Sequence, residues 1–156
     1  MFKLKDYIVC ILVIILSVLL NRTYNHYRYK EIKVKSLENI NAWIYHNIKA
    51  MPEKRGQDYW QYPDETMYLK SGDCEDMAIL FREIAERKLK LNVNMLWVVS
   101  PDRSISHMVI EYQGNIYDPM ECRVYPTSRY LKSYIIYEKY NKKRLYKEIK
   151  NYRVKL

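Results

Sequence analysis

The sequence is poor in residues that mark several common classes of protein. Its 156 residues include only three glycines, five prolines and three cysteines. So few glycines and prolines argue against a disordered or low-complexity chain. The sequence also lacks a glycine-rich phosphate loop and a dinucleotide-binding fingerprint. Three cysteines give no disulfide framework, and His26 and His46 show no metal-ligand spacing with any cysteine.

The composition is that of one globular domain. Hydrophobic residues make up 49% of the chain and charged residues 29%. Without the apolar N-terminus, roughly 120 to 130 residues are left, which suffice for one two-layer core. There are 17 tyrosines and two phenylalanines. Because a buried tyrosine hydroxyl needs a partner, we expect a core with a polar edge.

The net charge of +9 is confined to the C-terminal segment. Residues 123–156 contain 11 Lys or Arg and two Asp or Glu, whereas the preceding residues contain 16 of each sign. A basic segment of this kind indicates either a solvated amphipathic end or an acidic partner, of which anionic lipid is the nearest candidate. Nucleic acid is a weaker alternative because the basic residues form no recognisable binding module.

An uncharged apolar run, residues 7–20, lies near the N-terminus. Lys3 and Lys5 precede it, and no small-residue cleavage site follows, so we expect a signal-anchor that spans the cell membrane once. The run is shorter than the roughly 20 residues of a full span, and a buried core helix is the alternative. Basic residues after the run favour a cytoplasmic domain, but its signal-like shape favours export. We expect the folded domain on the extracytoplasmic side.

The rest of the chain divides by composition and hydrophobic period. A helix is predicted from Ser36, its N-cap, to about Met51, because apolar residues recur at three- and four-residue steps. The tail is ambiguous: residues 134–137 could form a last strand and residues 142–152 a basic helix. The expected segments are a signal-anchor (1–22), a juxtamembrane linker (23–35), a folded domain (36–137) and a basic tail (138–156).

A second amphipathic helix is predicted to begin at Cys74. Gly72 permits a sharp turn and Asp73 is a good N-cap. Apolar residues from Met77 to Ala85 fall at helical spacing, with charged residues, Arg82 among them, expected to face away. Cys74 therefore lies in the first turn of the helix, on its inward face.

The strands that follow place His107 and Asp118 on a hairpin. Residues 93–99 and 105–112 are rich in β-formers, and a Gln-Gly-Asn turn leads to residues 116–118. If Gln113 and Gly114 form a two-residue turn, His107 is the diagonal neighbour of Asp118 on one face, about 7 to 8 Å away. A turn one residue later would place Asp118 out of reach of His107.

These residues have the chemistry of a catalytic triad. Unpaired amides at a helix N-terminus favour a thiolate and can bind an oxyanion. Glu75 and Asp76 oppose a thiolate at Cys74, so a cation is needed, which His107 can supply. Cys74, His107 and Asp118 would then be the nucleophile, the base and the residue that orients the base.

Residues 36–137 resemble the transglutaminase-like superfamily, most closely the bacterial transglutaminase-like cysteine proteinases. Four motifs carry the resemblance: Trp60-x-x-Pro63, Ser71-Gly72-Asp73-Cys74-Glu75-Asp76-Met77-Ala78, His107-Met108-Val109 and Tyr117-Asp118-Pro119. The resemblance implies a papain-like α+β fold, in which the helix of Cys74 packs on a small antiparallel sheet. It also implies that Cys74 attacks a carbonyl, His107 shuttles the proton and Asp118 holds the imidazole.

Further residues take roles from the same resemblance. The backbone N–H of Cys74 would form part of the oxyanion hole, and Trp60 or Gln61 could supply a second N–H, although plain packing of Trp60 is the alternative. Asp73 and Glu75 match positions that bind calcium in part of the family, although helix capping by Asp73 and a solvent-facing Glu75 are the alternative. The chemistry itself requires no cofactor, and Cys122 is interpreted as structural.

The predicted function is that of a membrane-anchored cysteine peptidase or amidase acting on a protein or peptide. The same thioester intermediate would serve an acyl transferase that crosslinks proteins. A catalytically silent, membrane-tethered binding module is the alternative outside the enzymes.

Overall fold

The computed structural model of the protein describes residues 4–52 and 59–154 and divides into two compact units, Met1–Lys33 and Val34–Leu156. The first unit contains helix α1 (Leu4–Lys30), on which residues 7–20 are exposed. No helix in the described ranges has the length and apolar character needed to cross a membrane. The predicted membrane-spanning helix is therefore not supported. The physical reason is length: the uncharged run has 14 residues, whereas a span requires roughly 20.

The second unit has an α+β architecture, as expected. Its helices are α2 (Leu37–Asn47), α3 (Pro63–Leu69), α4 (Cys74–Ile84), which continues as a π-helical turn over Ala85–Leu89, α5 (Thr127–Tyr130) and α6 (Lys142–Val154). Its strands are β1 (Lys49–Ala50), β2 (Ser71–Gly72), β3 (Asn94–Val99), β4 (Ser106–Tyr112), β5 (Asn115–Asp118), β6 (Arg123–Pro126) and β7 (Ile135–Tyr140).

The strands form a small antiparallel sheet and a separate parallel pair. The five-stranded sheet has the order β6-β5-β4-β3-β7, and β1 pairs in parallel with β2. Met51 donates its N–H to the carbonyl of Gly72 at 3.0 Å, which extends this parallel pair. The short pair therefore fixes the end of α2 beside the start of α4.

Strand alternation gives the sheet two different faces. The face that we call the helix face carries Met95, Met108, Ile110 and Tyr117 and packs under α4, where the rings of Phe81 and Tyr117 lie 5.8 Å apart. The opposite face, the tyrosine face, is covered by the segment that follows β6. Its buried cluster consists of Leu96, Val98, Val109, Ile116 and Tyr130.

The hairpin of β4 and β5 has the register that the catalytic hypothesis requires. Ile110 pairs with Tyr117, and Tyr112 pairs with Asn115. The two turn residues, Gln113 and Gly114, have φ values of 47° and 79°. Positive φ at both positions is typical of a type I′ turn, whose twist matches that of the strands. Of the two turn positions considered from the sequence, the structure has the one at Gln113 and Gly114.

The start of α2 was predicted correctly, but its end was not. Ser36 caps α2 by accepting the N–H of Asn39 at 3.3 Å. The helix ends at Asn47 rather than near Met51, because Ile48 is extended and leads into β1. Pairing with a distant strand therefore takes precedence over the local helical period.

Arg82 was predicted to face solvent but is only 3% exposed. Its guanidinium donates to the carbonyl of Val93 at 3.2 Å and to the side chain of Asn92 at 3.1 Å. Burial lowers the pKa of Arg82. The loop that enters β3 thus supplies partners that the helical pattern could not reveal.

The basic C-terminal segment is folded. Strand β7 continues to Tyr140, beyond the predicted strand end at residue 137, and α6 buries Leu145 and Ile149 against the unit. Arg144 pairs with Glu138 at 2.7 Å, and Lys142 pairs with Glu86. Part of the positive charge is therefore neutralised by ion pairs, which the sequence does not reveal.

Candidate active site

Cys74 is the first residue of α4, as the sequence predicted. Asp73 caps the helix, and Asp76 accepts the N–H of Asp73 at 3.4 Å in the return half of a capping box. Gly72 is required by space, because a Cβ there would lie 2.6 Å from the Cβ of Asp76 and 2.8 Å from its Oδ2. The glycine thus lets the chain turn tightly into the helix that carries the thiol.

Asp76 ties a separate loop to this helix start. Its carboxylate is buried, with 1% of the residue exposed, and its Oδ1 accepts the backbone N–H of Gln61 at 2.8 Å. From the sequence, Asp76 was recognised only as a negative charge near the thiol. The sequence did contain a signal for this role. The turn at Gly72 and Asp73 starts the helix, so Asp76 is its third residue, where a carboxylate often completes a capping box.

His107 and Asp118 are in direct contact. The Nε2 of His107 and the Oδ2 of Asp118 lie 2.7 Å apart. The other carboxylate oxygen, Oδ1, accepts the backbone N–H groups of Met120 at 3.0 Å and Glu121 at 3.3 Å. Asp118 is 2% exposed, so the carboxylate is held in one orientation. With Nε2 engaged, Nδ1 is the ring nitrogen left to accept a proton.

Cys74 meets β4 at the point where β5 ends. In a two-residue hairpin the closing pair, Tyr112 and Asn115, exchanges both hydrogen bonds, so Met108 also directs its N–H towards the β5 side. Among the described residues, the pairing of β4 with β5 stops at Ile110. The N–H of Met108 therefore points beyond β5, where it interacts with the sulfur of Cys74. This N–H belongs to the peptide group that joins His107 to Met108, which brings the thiol to the segment that carries the imidazole.

The surroundings of Cys74 favour the neutral thiol. Burial raises the pKa of Cys74 most strongly, and the charge and hydrogen bonding of Glu75 raise it further. The thiol donates to Oε2 of Glu75 at 3.1 Å. The N–H of Met108 acts in the opposite direction and lowers this pKa. A base that removes the thiol proton is thus needed at neutral pH, which is the role expected of His107.

The predicted oxyanion donors differ in what they contact. The backbone N–H of Gln61 is bound to Asp76, so it is not available to an oxyanion, and that prediction is corrected. The Gln61 side chain has a buried Oε1 without a hydrogen-bond partner in the described structure. Trp60 is 2% exposed and stacks on Tyr152 with ring centroids 4.8 Å apart, while its ring also contacts Tyr140 at 5.7 Å. Packing against the C-terminal segment therefore accounts for the burial of Trp60.

The two candidate calcium ligands lie next to each other. Glu75 interacts with Asp73 and with the thiol of Cys74, and burial is the main reason that the pKa of Glu75 is raised. Calcium requires six to eight oxygen ligands. In the parts of the chain that the structure describes, no group of three or more His, Cys, Asp or Glu could hold a metal ion. Asp73 and Glu75 alone do not fit a complete calcium site.

Comparisons with known proteins agree with this arrangement. The family model of the bacterial transglutaminase-like cysteine proteinases (BTLCP) matches residues 20–153. Three solved structures of Legionella pneumophila LapG, each 22% identical to the chain, have TM-scores of 0.58 for the calcium-bound form, 0.56 for a form described as LapG alone and 0.55 for the EGTA-treated form. They cover 74%, 73% and 74% of this chain, respectively, and 71%, 69% and 69% of the LapG chains.

Because the sequence identity to LapG is 22%, the LapG structures show a similarity of fold alone. No curated protein matches the chain. The family model, however, spans most of the sequence and includes the helix of Cys74 and the hairpin of His107 and Asp118. The protein therefore belongs to the bacterial transglutaminase-like cysteine proteinases and is a cysteine peptidase of the transglutaminase-like type.

Proposed function

We propose that the protein hydrolyses a peptide bond of a polypeptide substrate with Cys74, His107 and Asp118 as its triad. One observation carries the proposal: Asp118 holds Nε2 of His107 at 2.7 Å, while the thiol of Cys74 meets the peptide group that follows His107. These two contacts support a triad in which Cys74 is the nucleophile, His107 the base and Asp118 the residue that orients the base.

The reaction would proceed in two halves. The sulfur of Cys74 attacks the scissile carbonyl carbon as Nδ1 of His107 takes the thiol proton. His107 passes this proton to the departing amine as the C–N bond breaks, which leaves a thioester on Cys74. A water molecule then attacks the thioester while His107 takes its proton. The carboxylic acid leaves, and the sulfur regains a proton from His107.

Stabilisation of the oxyanion would come mainly from the first turn of α4. The N–H of Cys74 is at the first helical position, where backbone N–H groups have no partner within the helix. The side-chain amide of Gln61 is the second candidate donor, since the backbone of this residue is fixed to α4 through Asp76. Asp118 would stabilise the imidazolium of His107 in both halves of the reaction.

An activity-based label tests the function. We expect an electrophilic peptide analogue to modify Cys74 and to leave Cys74→Ala unmodified at that position, as read by mass spectrometry. Cys122→Ala is the matched control, because Cys122 is also a free, half-buried cysteine. Release of peptide fragments supports hydrolysis, whereas incorporation of a fluorescent amine supports acyl transfer. A chain that is labelled equally at both cysteines, without turnover, would indicate a silent binding module.

Glu75 is expected to restrain the thiol. Because its negative charge raises the pKa of Cys74, Glu75→Gln should lower that pKa and increase the thiolate fraction at pH 7. We expect the midpoint of the pH profile of alkylation by iodoacetamide, measured in EGTA, to fall by about 1 unit. Glu86→Gln, a change in an ion pair remote from the thiol, is the control. A midpoint that stays in place or rises in Glu75→Gln contradicts the expectation.

Calcium binding by Asp73 and Glu75 stays a prediction from the sequence. The calcium-bound and EGTA-treated structures of LapG support a test of it in this chain. A cation on the two carboxylates would cancel the charge that raises the pKa of Cys74, so added calcium should speed alkylation of the wild type. The same addition should leave Glu75→Gln unchanged. No response in the wild type would argue against the site.

The cellular location also stays a prediction. We propose that the chain resides at the cell membrane, because residues 7–20 of α1 are exposed and, apart from Cys10 and Ser17, carry large apolar side chains. The signal-like shape of this N-terminal segment favours the extracytoplasmic face. Lys143, Lys147 and Lys150 are exposed on α6 and could contact anionic headgroups. Recovery of the full chain in the soluble fraction would contradict the proposal.

A further inference from the structure

An apolar surface is left uncovered at one end of the helix face. Trp97 lies directly opposite Met108 in the pairing of β3 with β4, so both side chains point to the helix face. Met108 is buried under α4, but the neighbouring surface is not covered: Ile135 is 55% exposed and Tyr137 is 58% exposed. We call the surface formed by Trp97, Ile135 and Tyr137 the aromatic platform.

The aromatic platform is held in place by the sheet. The rings of Trp97 and Tyr137 lie 4.7 Å apart at an angle of 56°, and the indole N–H of Trp97 donates to Oγ of Ser106 at 2.6 Å. The register of β3 with β7 shifts between Trp97 and Val98, which leaves Tyr137 as the extra residue of a bulge. Bulges often redirect a side chain, and this one brings Tyr137 onto the face of Trp97. The platform is therefore formed before anything binds to it.

The platform and the thiol lie on opposite sides of β4. Trp97 and Met108 are direct cross-strand neighbours, whose Cβ atoms lie about 5 Å apart in such a pair, and the N–H of Met108 meets the sulfur of Cys74. An extended polypeptide advances about 3.3 Å per residue. The N–H of Met108 points to the β5 side of β4, whereas Trp97 lies on the β3 side, so with strands about 4.8 Å apart the sulfur and Trp97 are about 10 Å apart. A substrate whose carbonyl lies at the sulfur can thus reach the platform with a side chain about three residues away.

We propose that the aromatic platform binds an apolar or aromatic side chain of the substrate polypeptide, about three residues from the bond that Cys74 attacks. The inference rests on the proposed function. A proteinase must seat a polypeptide beside its nucleophile, and this exposed apolar surface lies on the same face of the sheet as the helix of Cys74. Offset and edge-to-face packing on two aromatic rings favours aromatic side chains most. The platform thereby selects the class of sequence that is cleaved.

A binding experiment tests this inference separately from catalysis. The full chain carrying Cys74→Ala is titrated with fluorescent peptides that have either Phe or Gly near a central amide bond, and affinity is read by anisotropy. We expect the Phe peptides to bind about tenfold more tightly than the Gly peptides, and Tyr137→Ala to remove this preference. Tyr45→Ala is the matched control, since Tyr45 is 48% exposed on α2.

Kinetics provides the second measurement. With an active chain, Tyr137→Ala and Ile135→Ser should raise KM for Phe peptides about tenfold, with kcat and the rate of Cys74 alkylation unchanged. Val124→Ser, on the opposite edge strand β6, should change neither constant. Equal binding of Phe and Gly peptides would overturn the inference. A dimer of this chain in analytical sedimentation that Tyr137→Ala dissociates would also overturn it, because the platform would then be the dimer interface. Absence of labelling at Cys74 would instead reject the proposed function. The binding titration does not depend on that result, because it uses a chain without the thiol.

Discussion

Replacing His107 by alanine should lower kcat/KM for peptide hydrolysis by about 10³-fold or more. Burial and Glu75 keep the thiol of Cys74 protonated, so without a base neither attack on the carbonyl nor protonation of the departing amine is assisted. KM should change little because the imidazole is expected to act on the reacting atoms. Steady-state kinetics on a cleaved peptide, with folding verified by circular dichroism, measures the effect.

Two variants establish whether the loss comes from the triad. Asp118→Asn should also reduce kcat strongly, because an amide that donates to the ring favours the wrong tautomer of His107. His46→Ala is the control, as His46 lies on α2 and contacts only the ring of Tyr45 among the contacts that the structure describes for it. Undiminished turnover by His107→Ala would refute the assignment of the general base.

Gly72→Ala should be among the most destabilising single-methyl additions in this protein. The new Cβ would lie 2.6 Å from the Cβ of Asp76, which belongs to α4 and cannot rotate away. The start of the helix must then shift, at a cost of about 2 to 3 kcal/mol in the free energy of unfolding. Displacement of Asp76 would also release the backbone of Gln61, so we expect activity to fall together with stability.

Urea unfolding of the full chain measures this effect. Gly114→Ala is the matched control: its φ is 79°, but an added Cβ would meet no atom within 4 Å. It should therefore cost only the backbone strain of a left-handed residue, about 1 kcal/mol. If Gly72→Ala unfolds at the same urea concentration as the wild type, the close packing of Gly72 on Asp76 is not essential.

The parts of the site that follow from local chemistry could be predicted from the sequence. Gly72 followed by Asp73 predicted Cys74 in the first turn of a helix, and the Gln113-Gly114 turn was one of the two hairpin registers that the sequence allowed. The contact between His107 and Asp118 follows from that register. Each of these predictions depends on a few neighbouring residues, for which the backbone has few alternatives.

Features that depend on distant partners could not be predicted. Trp60 is buried because Tyr140 and Tyr152, far along the chain, pack against its ring. Arg82 is buried because the carbonyl of Val93 accepts from it. Hydropathy and helical period do not contain such information, since tertiary contacts outweigh local preference at these positions.

The stacking of Trp60 on Tyr152 makes the last helix part of the peptidase itself. A chain shortened after residue 137 would lose the buried side chains of Leu145 and Ile149 and would leave the indole bare on one side. The backbone of the next residue, Gln61, is anchored to the helix of the nucleophile. Removal of the C-terminal helix would thus loosen the loop of Trp60 and Gln61, which is bound through Asp76 to the first turn of the helix that carries Cys74.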